Sequence, residues 1–255
     1  MTLGQTTEPP VHAKRSRSNV IVWVADGRPT PDLDYGDRLV EHLRRTGRVV
    51  EERSLTDFDD NRVPEAALHV LTGGATSVND LKTWMPTGLV HVRRLLDLAN
   101  AGETCLLGVC LGSQMIAECL WPGSIRAADR IEIGLVDIEW QAGMDGPTPV
   151  PAFHYEQVEP QSVTRGGGEI LAWNQHSGVQ CYRYGECVLA MQFHPELSPV
   201  DVKALISYNE RTISEYGGDV PAVRATIEAR EKSWDSDSVQ RILGAAGFGS
   251  LLRAP

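Results

Sequence analysis

Two short stretches of the chain carry residue types that could do chemistry. The first is Gly108-Val109-Cys110-Leu111-Gly112, a thiol with a glycine two positions to either side. An apolar run from Cys105 to Val109 leads into it, and apolar residues at Met115, Ile116, Cys119 and Leu120 follow at helical spacing. In such a strand, tight turn and helix, the glycines let the flanking elements pack closely while the central residue takes a strained backbone conformation. Cys110 is therefore expected to stand exposed at the carboxyl end of a sheet strand. The N-terminus of the following helix would point at the sulfur and favour thiolate over thiol. Taken alone, the pentapeptide equally describes a buried cysteine in a Gly-flanked turn.

The second stretch, Gln192-Phe193-His194-Pro195-Glu196, places a histidine 84 residues after the thiol. The apolar run Cys187 to Phe193 reads as a strand with His194 and Glu196 at its end. In extended chain, residues two apart project to one side, and Pro195 stiffens the backbone between them. A carboxylate beside an imidazole fixes its tautomer and stabilises the imidazolium. A lone His-x-Glu is an ordinary surface pair, but combined with a cysteine elbow it supplies the base and orienting acid of a nucleophilic triad.

Together, GVCLGSQ from Gly108 to Gln114 and QFHPE from Gln192 to Glu196 resemble the class I (triad) glutamine amidotransferase family. The resemblance covers about residues 19 to 215 and looks closest to stand-alone members similar to the amidotransferase domain of GMP synthase. It implies Cys110 as nucleophile, His194 as base and Glu196 as orienting acid, with the amides of Gly74 and Leu111 as oxyanion donors. It implies that Gln114 helps to hold glutamine, with His154 and Tyr155 near the substrate and His176 as a further pocket residue. The implied fold is α/β: a mostly parallel, flavodoxin-like central sheet flanked by helices, to which the sequence pattern adds a small antiparallel β addition and, beyond the family core, a C-terminal helical extension. No metal or organic cofactor is implied. The implied substrate is glutamine or a γ-glutamyl compound, and the expected partner is a separate synthase that accepts ammonia. Two alternatives stay open: a γ-glutamyl peptidase that needs no partner, and a non-catalytic binding subunit. The oligomeric state is not fixed by the sequence.

The elements that must position these residues are legible in turn. Residues 1–18 are polar, contain Lys14-Arg15-Ser16-Arg17, and read as a disordered tail. Residues 19–216 read as the amidotransferase domain and 217–255 as the extension. Asn19 to Ala25 is a continuous apolar run, the pattern of a strand buried on both faces. Asp34 to Thr46 reads as a helix closed by Gly47, and Arg48 to Leu55 as a strand. Asp57 to Asn61 is an acidic loop. Ala67 to Thr72 reads as a strand running into Gly73-Gly74-Ala75-Thr76-Ser77, where amides free of side chains can face an anion. The resembled family usually has Pro where Ala75 stands, which implies a softer loop. Asp80 to Gly88 reads as a loop whose Trp84 either covers the site mouth or packs, and Leu89 to Asn100 as an amphipathic helix. His42, His69 and His91 fall within regular elements and read as structural.

Beyond Leu120, Ile125 to Trp140 alternates apolar and polar, as antiparallel strands with one wet face do. Gln141 to Pro151 reads as a Gly/Pro loop before the segment Ala152 to Val158. Pro199 to Tyr216 reads as one helix, and Val220 to Ser233 and Ser236 to Ala246 as two more. This extension is expected to close over the sheet or form an oligomer contact.

At 255 residues the chain can bury a large core without disulfides. A formal charge of −10 with no basic stripe argues against nucleic acid or an anionic membrane as partner. Five cysteines without a CxxC pair suggest neither a disulfide framework nor a zinc site, and fit the cytoplasm. No phosphate-binding loop occurs in the sequence, so any ATP would be bound by another polypeptide.

Overall fold

The apolar run Asn19–Val24 becomes β1, and Val20, Ile21 and Val22 are wholly buried, as an internal strand of a parallel sheet requires. This computed structural model describes residues 19–58, 62–141 and 147–234. The expected tail at 1–18, the helix at 236–246, and parts of the loops at 57–61 and 141–151 lie outside the described residues.

Helix α1 (Tyr35–Arg44) begins where Asp34 accepts hydrogen bonds from the Gly36 and Asp37 amides, and Gly47 follows it with φ of 80°. Strands β2 (Val49–Ser54) and β3 (Leu68–Leu71) flank β1 on its two sides. Helix α2 (Met85–Asn100) starts earlier than the pattern suggests, because Pro86 fits the first helical turn. Met85 is fully buried, and Trp84 packs over Gly88, so Trp84 is a packing residue and not a cover for the site. Then come β4 (Cys105–Val109) and α3 (Leu111–Leu120). The chain continues through β5 (Ile125–Trp140), β6 (Thr148–Val158), α4 (Pro160–Arg165), β7 (Glu169–Trp173), β8 (Cys181–Tyr184) and β9 (Val188–Met191).

These strands form one mixed sheet in the order β2-β1-β3-β4-β9-β8-β7-β5-β6. Pairing is parallel from β2 to β9 and antiparallel from β9 to β6. The central sheet flanked by helices matches the expectation, but its antiparallel part is four strands wide and continues the same sheet. Side chains alternate along each parallel strand. Ile21, Trp23, Leu71 and Leu106 face α2 and α3, while Val20, Val22, Val70 and Leu107 pack with Leu39, Val40 and Leu43 of α1.

The single helix expected after Pro199 is two, α5 (Pro199–Tyr208) and α6 (Glu210–Glu215). Asn209 breaks them apart, its side-chain amide donating to the Pro29 and Leu205 carbonyls. Helix α7 (Val220–Arg230) is capped by Asp219 and buries Ile227 against Ile131, Ile133 and Leu205. The described part of the extension therefore closes over the sheet at β5.

Candidate active site

Strand β4 delivers Cys110 to the turn before α3, with φ of 50° and ψ of −107°. Cys110 is the one non-glycine residue with positive φ among those described. The flanking glycines are required by space. A Cβ on Gly112 would fall 2.5 Å from the Leu71 carbonyl oxygen, and one on Gly108 2.7 Å from the Gly112 oxygen. The expectation of an exposed thiol is corrected: Cys110 is only 7% exposed. Strand β6 covers it, bringing the Phe153 carbonyl to 3.9 Å from the sulfur.

Three residues beyond β9, His194 Nδ1 lies 2.8 Å from Glu196 Oε1, and both side chains are fully enclosed. The His194 amide donates to the Pro151 carbonyl at 2.8 Å, tying His194 to β6. Its Nε2 is buried and makes no well-aligned hydrogen bond. Burial alone would lower the pKa of this imidazole. The Glu196 carboxylate and the nearby Cys110 sulfur outweigh burial and raise it to about 10. The ring is clamped. Tyr35 stacks on it at 4.4 Å and 15°, and a Cβ on Gly73 would fall 2.7 Å from its Cε1.

The loop after β3 lies against the elbow, where a Cβ on Gly74 would fall 2.6 Å from Leu111 Cδ2. The adjacent amides are used, Ala75 N–H by the Asp26 carbonyl at 3.0 Å and Gly112 N–H by the Thr72 carbonyl at 3.1 Å. The Gly74 and Leu111 amides make no such backbone bond among the described residues, and Leu111 stands at the helix N-terminus where N–H groups lack intrahelical partners. The softness expected from Ala75 is countered by Asp26, whose carboxylate accepts from the Thr76 hydroxyl. Ser77 Oγ also donates to Glu156 Oε1 at 2.7 Å. A thiol on a strained turn, a buried imidazole held by a carboxylate and two free amides are the parts of an acyl-transfer site.

The sequence model of class I glutamine amidotransferases matches residues 33–211. This chain belongs to the class I glutamine amidotransferase family. Members are glutamine-hydrolysing enzymes. The glutamine amidotransferase-like protein YfeJ of Salmonella typhimurium is 26% identical over 54% of this chain and 59% of its own length. The glutamine-hydrolysing GMP synthase of Bdellovibrio bacteriovorus is 23% identical over 84% of this chain and 42% of its own length. The chain thus spans about half the length of these curated relatives. In fold it is similar to a glutamine amidotransferase from Thermotoga maritima, with TM-score 0.66 and 19% identity, covering 93% of this chain and 99% of that one.

Within this amidotransferase domain the remaining expected site residues separate by position. Gln114 is buried beside the elbow, and its Nε2 donates to the Glu156 carbonyl at 3.0 Å and to Gln192 Oε1 at 3.2 Å. Tyr155 is half-buried and stacks on Tyr216 at 4.8 Å. Its phenol pKa is raised first by burial and then by the charges of Glu156, Tyr216 and Cys110, which places it within electrostatic reach of the sulfur. His154 has both ring nitrogens occupied, Nε2 by Glu132 at 2.8 Å and Nδ1 by the Glu156 carbonyl at 3.1 Å. His154 is thus a support within the wall. His176 lies off the site. It lines a separate cavity of about 420 Å³ with Arg130, Asp137 and Arg230.

Three residues that sequence reasoning missed belong here. Tyr35 is buried against His194, and burial, then the charges of Cys110 and Glu196, raise its pKa well above the ordinary value. Its signal was its place directly after the Asp34 cap. Gln192 Nε2 donates to Cys110 Sγ at 3.7 Å, and its signal was its place within the QFHPE run. Glu132 accepts from His154, from Asn174 at 2.6 Å and from Gln180 at 2.6 Å. Burial works against its ionisation, but the His154 hydrogen bond and charge, the Asn174 hydrogen bond and the His176 charge outweigh it and hold the carboxyl below its usual range. No local signal marked it.

Proposed function

We propose that Cys110, His194 and Glu196 hydrolyse the side-chain amide of glutamine through a γ-glutamyl thioester. The observation that carries this reading is the strained Cys110 elbow beside an imidazole whose far nitrogen is held by Glu196. With His194 holding the proton, the sulfur attacks the γ-carbonyl carbon and forms the C–S bond. The amides of Gly74 and Leu111 stabilise the oxyanion. His194 then protonates the leaving nitrogen, and ammonia departs as the C–N bond breaks. Water, deprotonated by His194, attacks the thioester; glutamate leaves and the sulfur is restored.

Gln114 and Tyr155 form the near wall of the glutamine pocket, with His154 behind them. The ammonia passes to a separate synthase or acceptor protein. Support for this partner is the similarity to amidotransferases, among them a GMP synthase of which this chain matches 42% of the length. The free cysteines support a cytoplasmic setting. The test is glutamate release from glutamine by the purified chain, with Cys110→Ala as control. Cys110-dependent release is expected. Efficient cleavage of γ-glutamyl peptides with negligible turnover of glutamine would overturn the reading in favour of a peptidase.

A further inference from the structure

The orientation of the Gln192 carboxamide follows from a chain of hydrogen bonds that begins away from the nucleophile. The Glu156 carbonyl can only accept, so the Gln114 amide presents its NH₂ to it. That NH₂ has a second N–H, which meets Gln192 Oε1. With its oxygen so engaged, Gln192 turns its own NH₂ toward the Cys110 sulfur. The second lone pair of the Glu156 carbonyl takes His154 Nδ1, whose Nε2 faces the Glu132 carboxylate. Glu132 is in turn fixed by Asn174 and Gln180. Every link is buried or half-buried, where a hydrogen bond is stronger and a misoriented amide more costly than in water.

We propose that Gln192 is a catalytic residue that donates an N–H to the Cys110 sulfur, and that the Glu132–His154 pair positions it through the Glu156 carbonyl and Gln114. The donor stabilises negative charge on the sulfur and holds it in one rotamer before attack. The proposal rests on the reading of Cys110 as nucleophile.

The test is the pH profile of Cys110 alkylation by iodoacetamide, which reads thiolate, measured on the purified chain with the labelled site mapped. His194, Glu196, Tyr35 and Tyr155 are the other titratable groups bearing on this site, and all variants leave them in place. Gln192→Leu removes the donor and is expected to slow labelling at neutral pH by about 10- to 100-fold, the worth of one hydrogen bond to a charged group. The labelling midpoint moves to higher pH. Glu132→Gln moves it the same way by less, and adds nothing once Gln192→Leu is present. Should Glu132→Gln fail to fold, Gln192→Glu keeps the side-chain volume and sets a carboxylate against the sulfur, so the midpoint rises further than with leucine.

A wild-type profile in folded Gln192→Leu or Gln192→Glu overturns the proposal while leaving the nucleophile reading intact. Additive effects of Glu132→Gln and Gln192→Leu overturn the link between them. Failure of wild-type Cys110 to label selectively overturns the nucleophile reading, and this proposal with it.

Discussion

The parallel and antiparallel halves of the sheet meet at Cys110, and they build their contributions in different ways. The parallel half presents backbone: a left-handed turn at Cys110, free amides after β3 and α3's N-terminus, and, where extended chain was expected after β9, a turn closed by the Leu197 amide on the His194 carbonyl at 3.2 Å that sets His194 against Glu196. The antiparallel half presents buried side chains drawn from separated strands. Its Glu132 joins His154 22 positions on and Gln180 48 positions on. Backbone devices need particular residues at fixed local spacing, whereas a side-chain wall needs only that distant strands come into register.

The sharpest way to break this comparison is to remove the reactive atom. Cys110→Ala is expected to lower glutamate release at least ~10³-fold with the fold intact, since the covalent route is lost. Activity retained in a folded Cys110→Ala protein would shift the chemistry to the other half.

Next in size is Glu196→Gln, expected to lower kcat about 10²-fold or more, by loss of tautomer control. Its pH dependence carries a sign. His194 is held protonated to about pH 10, so the alkaline limb of activity should lie near there in the native protein. With the carboxylate neutral, the largest cause that raises the pKa is lost while burial still lowers it, so the limb moves to lower pH. In stability the raised pKa acts the same way. The contribution of His194 is full below an unfolded value of about 6.5 and is lost as pH rises through about 10. Thermal unfolding across that range, wild type against Glu196→Gln, would show a larger loss in the wild type than in the variant.

A smaller effect tests the space under the elbow. Gly112→Ala sets a methyl against the Leu71 backbone, which cannot step aside without disturbing β3. A loss of ~1–3 kcal/mol is expected in denaturant unfolding, as for other overpacked sites. The smallest effect belongs to the far end of the antiparallel half. His176→Gln should leave glutamate release within about twofold of wild type, because its ring lines a separate cavity. A tenfold loss would carry the active site across β5 and redraw the boundary between the halves.

The same contrast explains what could be read from the chain. The glycines around Cys110, the His194-x-Glu196 pair and the Gly73-Gly74 turn are local and were legible, as was the succession of strands and helices that presents them. Burial of the thiol was not legible, because its cover comes from β6, more than forty residues on. The resemblance brought His154 into the pocket, yet its ring is spent on Glu132, a partner whose importance depends on the register of β5 with β6. Asn209 ended a helix through a bond to Pro29, a contact no periodicity contains.

The left-handed corner at Cys110 also sets chemistry against folding. Glycine would adopt that backbone freely, whereas a residue with a Cβ held there costs of order 1–3 kcal/mol. A sequence chosen only for its ability to fold would place glycine at position 110. Cysteine at that corner is therefore a burden on folding, one that the proposed role of its sulfur would explain.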